Sequence, residues 1–173
     1  MIAVAEELAA LRAEVQHFVA ERILPAEAQI MAEDANANGD LLAIPSLVRL
    51  RAEAKAAGLW TPHLPAAYGG RGLGVMGMCV LFREMGRSPV GAAVFGCDAP
   101  DQGNADLLVR IGSEAQRARW LAPLAAGQIT SAFCMTEPAP GAGADPRNLR
   151  SAAVADGDGR WRLDGHKWYT TGG

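Results

Sequence analysis

The sequence lacks several things that would assign it a function at once. No run of like charges occurs along its 173 residues, and Lys plus Arg number 16 against 19 Asp plus Glu, a formal charge of −3. Nothing in that distribution points to nucleic acid. Hydrophobic stretches are broken by charge or glycine well before the roughly 20 residues that a membrane span needs. The opening stretch, MIAVAEELAALRAEV, carries Glu6, Glu7 and Glu14 and has neither the basic n-region nor the apolar run of a secretory signal, so a cytoplasmic location is expected. Cysteine is scarce. Cys79, Cys97 and Cys134 are odd in number and far apart, which implies neither a disulfide framework nor a zinc site and leaves them as small apolar filler. His17, His63 and His166 are scattered, with no acidic or thiol partner at ligand spacing, and are read as surface residues.

What is present is enough apolar material for a core: 50% of the residues, with a mean hydropathy of +0.05. From Glu6 to Ile23, Leu8, Leu11, Val15, Phe18 and Val19 make one helical stripe, which Pro25 is expected to close. A second helix is predicted from Pro45 and Ser46, with Leu47, Leu50, Ala54 and Ala57 on one face and Gly58 just past its end. VMGMCVLFREMG is apolar nearly all round and reads as a central helix enclosed by others. Pro100 starts another, running through Leu107, Leu108 and Ile111 to Gly112, and Ser113 with Gln116 forms a capping box for the next. In that last helix Pro123 is expected to force a break or kink before Gly127.

After Gln128 the pattern changes. ITSAFCMT, LRSAAVAD, RWRLDG and HKWYTT are predicted strands of an antiparallel meander, with DGDG as one of its turns. In RWRLDG, Trp161 and Leu163 fall on one face and Arg160, Arg162 and Asp164 on the other, so the sheet should have one covered and one wet side. The fold class is therefore α+β: an all-α helical domain over residues 1–128, then the start of an antiparallel β domain over residues 129–173. A sheet of so few short strands calls for further partners, and its open edge is expected to promote association.

The stretch FCMTEP, residues 133–138, ends a half-buried strand on Thr136, Glu137 and a proline, then runs into APGAGADP. A hydroxyl at a strand end, followed by Gly141 and Gly143, is where backbone N–H groups and a side-chain donor converge on a ligand. A plain turn joining two strands explains the same residues.

Larger pieces separate those readings. QITSAFCMTEPAPGAGADPRNL, DGHKW after the DGDG turn, and the upstream LPAAYGGRGLG and APDQGN…IGSEAQRARWLAPLAAG together resemble the N-terminal part of an acyl-CoA dehydrogenase, in the family's order over essentially the whole chain. APDQGN and FCMTEP are most similar to the subgroup that is in some organisms fused to an aminoglycoside-phosphotransferase-like kinase domain. The resemblance implies a flavoenzyme with an N-terminal helical domain, a central β domain and a C-terminal helical bundle, the last absent from these residues. FAD would be the cofactor, acyl-CoA the substrate, an electron-transfer flavoprotein the acceptor, and the full-length form a homo-oligomer. It implies that Phe133, Met135 and Thr136 line the flavin, with Trp168 and Thr170 reaching it from the adjacent strand, and that Gly141, Gly143 and Ala144 approach the pyrophosphate. Glu137 would belong to a structural turn, the base coming from the C-terminal bundle, which leaves this chain alone inactive. One departure stands out: Ala144 precedes Asp145 where the family usually has serine. An acyl-CoA oxidase fragment and a non-catalytic helical interaction module remain alternatives.

Overall fold

A computed structural model describes residues 2–143 and 145–173. The chain divides into two compact units, one ending at Thr130 and the other running Ser131–Gly173. The first is helical. Its leading helix, α1 (Ile2–Phe18), buries Leu11, Val15 and Phe18 as the spacing predicts. Pro25 does not close it: a π turn, Val19–Ile23, carries the chain directly into α2 (Leu24–Asp34), with Pro25 in the first turn of α2. The Leu24 N–H donates to the Val19 carbonyl five residues back. This wider turn draws the preceding carbonyls off the proline ring at the point where proline has no N–H to offer, so the helix persists.

The same arrangement recurs at the second proline. After α7 (Glu114–Gln116), whose Ser113–Gln116 capping box forms as expected, a π turn at Arg117–Leu121 leads into α8 (Ala122–Ala125) with Pro123 near its start. The predicted break is thus absorbed as a widened turn.

Between them, α3 (Pro45–Ala56) buries Leu47, Leu50 and Ala54, while Ala57 is exposed, and Gly58 at φ +68° turns the chain out of the helix. The α4 helix (Val75–Met85) corrects the expectation of an enclosed central helix. Met78, Leu81 and Met85 are buried, but Val75 and Met76 are each 79% exposed, because only one side packs, chiefly against α1. On that packed side lies Glu84, which accepts from Arg12 of α1 at 2.7 Å. The short α5 (Gly91–Val94) leads into Phe95, fully buried with its ring centroid 5.4 Å from that of Phe18. Phe18, Phe95, Leu47, Leu50 and Leu81 belong to one apolar core. A smaller one gathers Leu64, Leu121 and Leu124 with Ala105 of α6 (Asp101–Ile111).

In the second unit β1 (Ala152–Ala155) pairs antiparallel with β2 (Trp161–Asp164), Ala153 opposite Leu163 and Ala155 opposite Trp161. The hairpin closes where the Asp156 N–H donates to the Arg160 carbonyl. The predicted meander is only partly realised. ITSAFCMT and HKWYTT make isolated bridges and no regular strand. The expected covered side is also bare, Trp161 being 65% and Leu163 77% exposed, because no other described element of this unit lies over the hairpin.

Candidate functional site

The second unit brings the two halves of the motif together. The Phe133 N–H donates to the Thr171 carbonyl at 3.0 Å and the Trp168 N–H to the Thr136 carbonyl at 3.1 Å. Both bonds belong to one antiparallel register, so residues 133–136 run beside residues 168–171, Thr136 opposite Trp168. Phe133 and Trp168 present much of their rings to solvent, at 52% and 43% exposure, and Met135, Thr136 and Thr170 are half-buried. Tyr169, at φ +48°, interrupts the extended backbone and rests its ring 4.9 Å from that of Trp168.

Glu137 is the anchor beneath this surface. It is 3% exposed, and its carboxylate accepts from the Arg150 N–H, the Ser151 N–H and hydroxyl, and Lys167 Nζ at distances of 2.6–3.0 Å. The Lys167 hydrogen bond first, then those from Ser151 and Arg150, hold its carboxyl far below the usual carboxylate range. A carboxylate so fully donated to is a poor base, which agrees with the structural role expected of it. Lys167 also donates to the Met135 carbonyl at 3.2 Å.

The loop after Pro138 folds on itself. The Gly141 N–H donates to the Pro138 carbonyl and the Gly143 N–H to the Glu137 carbonyl, so both groups are already engaged within the loop and not aimed outward. A Cβ at Gly141 would meet Glu137 Cβ and Oε2 at 2.7 Å, and Gly143 sits at φ +53°, so each glycine is required by the turn itself. Ala144 lies outside the described residues. Beside the loop a cleft of about 390 Å³ opens between Pro138–Gly141 and the hairpin ends at Ala152 and Asp164.

Sequence reasoning did not single out Lys167, Ser151 or Arg150. The available signal was Glu137 itself, since a carboxylate in a half-buried strand needs a cation and N–H donors nearby. Nor was the buried environment of His63 foreseen. It is 8% exposed, with Nδ1 3.7 Å from Cys97 Sγ, and burial lowers its pKa and raises that of the Cys97 thiol, so both stay neutral near pH 7. His63, Thr61 and Arg51 border a cavity of about 20 Å³ in the helical unit. Cys97 fits the filler reading, while Cys79 and Cys134 are exposed. The described residues contain no cluster of metal-ligating side chains and no helix long and apolar enough to cross a membrane.

A helical unit leading into an antiparallel β segment, with aromatic and hydroxyl side chains displayed on two paired extended segments, defines an α+β protein. The comparisons with known proteins say which. The family model described as "Acyl-CoA dehydrogenase, N-terminal domain" matches residues 5–128, and the chain belongs to the acyl-CoA dehydrogenase family. It is 38% identical over 160 residues to mouse acyl-CoA dehydrogenase family member 10, covering 90% of this chain and 15% of that protein. It is 37% identical to human family member 11, covering 91% of this chain and 20% of that one. A solved Mycobacterium abscessus structure assigned to the acyl-CoA dehydrogenases superimposes with a TM-score of 0.82 at 38% identity, over 95% of this chain and 42% of that one. Glutaryl-CoA dehydrogenase from Mycobacterium smegmatis, solved in complex with FADH2, gives 0.65 at 27% identity over 95% of this chain and 39% of that one. The chain thus spans a fifth or less of these curated relatives and about two fifths of these solved chains.

Proposed function

We propose that the chain is the N-terminal portion of a flavin-dependent acyl-CoA dehydrogenase, with residues 1–128 its helical domain and residues 129–173 the beginning of its β domain. FAD held there would supply a hydride acceptor for the β-hydrogen of an acyl-CoA thioester, and a base would receive the α-proton. The observation that carries the reading is the antiparallel pairing of Thr136 with Trp168. It sets a hydroxyl donor next to an exposed aromatic ring, and Phe133 adds a second ring along the same pair of segments.

The residues fit a planar ring system with polar edges. Among the described residues the hydroxyl of Thr136 enters none of the hydrogen bonds that build the turn, so it is available to donate to a ring edge, and Thr170 offers a second. Trp168 and Phe133 supply flat apolar surface, and Met135 a polarizable side chain. Gly141 and Gly143 shape the loop that adjoins the site, with Ala144 following it. Glu137 holds the turn as a fixed anion and takes no proton. Acyl-CoA as substrate, an electron-transfer flavoprotein as acceptor and a homo-oligomeric full-length protein complete the proposal.

The test is the visible absorbance of the chain after incubation with FAD and thorough desalting. Retained flavin bands, lost in Trp168→Ala, are expected if self-association or a second polypeptide completes the site. Retention that survives both Trp168→Ala and Thr136→Ala would refute the assigned contacts.

A further inference from the structure

The segments that carry Thr136 and Trp168 are held together by very little backbone. Two hydrogen bonds join them, Phe133 N–H to Thr171 carbonyl and Trp168 N–H to Thr136 carbonyl, and the positive φ of Tyr169 falls between. A pairing this short and interrupted is prone to slip by one residue, and one residue of slip exchanges the faces on which side chains stand.

A side chain opposes that slip. Lys167 Nζ donates to the Met135 carbonyl at 3.2 Å and to Glu137 Oε1 at 2.8 Å, two acceptors that lie on either side of Thr136 on the opposite segment. Glu137 is itself a fixed post, because the Arg150 and Ser151 N–H groups and the Ser151 hydroxyl hold it from the chain leading into β1. Shifting residues 168–171 by one position would break both Lys167 bonds and leave a carboxylate of 3% exposure without its cation. That is a large penalty compared with what two backbone bonds supply.

We propose that Lys167 is a positioning residue, which fixes the register of residues 133–136 against residues 168–171 by straddling Thr136 with one ammonium group. The register stands on the geometry alone; its consequence, that Lys167 keeps Thr136 and Trp168 aimed at one flavin, rests on the reading under Proposed function. Lys167 touches neither substrate nor cofactor in this role.

The experiment is amide hydrogen exchange by NMR on the whole chain without flavin, comparing wild type, Lys167→Met, Lys167→Arg and Arg147→Gln. Arg147 forms an exposed ion pair with Asp145 in the same unit and serves as the control. In Lys167→Met, exchange at the Trp168 and Phe133 amides is expected to rise about tenfold or more, with the hairpin amides of β1 and β2 changing less than about threefold. Arginine, which also reaches two acceptors, is expected to recover most of the protection, and Arg147→Gln to leave it intact. A role confined to general stability would speed the hairpin amides equally, and that pattern, or unchanged exchange at Trp168, overturns the proposal. FAD retention is measured on the same samples. Wild type that retains FAD, with Lys167→Met weakening it about tenfold, supports the consequence for the flavin. Weakened retention with unaltered exchange overturns the register role in favour of direct contact. Wild type that retains no FAD but shows the expected exchange pattern counts against the flavin reading and leaves the register assignment standing.

Discussion

Arg12 and Glu84 offer a sharp test of how the helical unit is held. Glu84 projects from the packed side of α4 into contact with α1, and its side chain is 5% exposed against 41% for Arg12. The pair is therefore buried at the acid end and wet at the base end. Removing one partner of a fully buried pair costs about 3–5 kcal/mol, whereas an exposed pair is worth roughly 0.2–1 kcal/mol. Because water reaches the guanidinium side, Arg12→Met should fall between those limits, at about 2 kcal/mol. Glu84→Gln keeps the shape and a hydrogen-bonding oxygen and should cost about 1 kcal/mol. The double variant no longer strands a buried charge, so it should cost about 1 kcal/mol less than the two single losses together. Urea unfolding followed by helical circular dichroism at low salt measures all of these, because the signal comes from the helical unit. For a chain of this size the Arg12→Met loss corresponds to a fall in Tm of about 4–8 °C. Additive losses, or an Arg12→Met cost below about 0.5 kcal/mol, would refute the claim that burial of Glu84 makes this pair structural.

Two further outcomes follow from burial. Phe95→Ala removes a fully buried ring packed on Phe18 and should cost about 3–5 kcal/mol, with Phe95→Leu less than half of that because leucine refills most of the volume; urea midpoints decide, and equal losses would refute the cavity as the main cause. Burial holds the His63 pKa below 6.5, so the unfolded chain binds a proton there before the folded one does. The contribution of His63 is therefore complete above the unfolded value and is lost as pH falls from about 6.5 toward the lowered folded value. Tm measured between pH 7 and 5.5 should drop, and His63→Gln should flatten that drop; an unchanged slope would place the sensitivity elsewhere.

Local chemistry was the most legible part of the sequence. Pro45, Gly58 and the Ser113–Gln116 box act within one helical turn and appear where the residues alone put them. Pro25 and Pro123 were misleading because the rule that proline ends a helix counts a missing donor and not the option of a wider turn before it. The sidedness of α4 was hidden because its composition is apolar all round, so only the neighbour it meets selects the buried face. His63 looked like a surface residue, yet its loop is tied inward where the Thr61 N–H donates to the Phe95 carbonyl, a contact across more than thirty residues that no local pattern encodes. At the candidate site the MTEP and HKW pieces were legible as a pair. The lysine inside the second piece was overlooked because its partners, Met135 and Glu137, become neighbours only once the segments are set in register.

The two π turns make chain length matter in an unusual way. A π turn holds one residue more than an α turn while leaving the helix on either side nearly in phase, so deleting one residue from 20–22 would restore an unbroken α-helix and keep Val15 and Ile30 facing the core. Pro25 would then sit in a regular helix interior, where proline costs about 3 kcal/mol. Replacing Pro25 alone is mild, and deleting the extra residue together with the proline is mild, but deleting the residue while keeping the proline is severe. The insertion and the proline that follows it are thus a linked pair of characters, and the Arg117–Leu121 turn with Pro123 is a second such pair in the same chain.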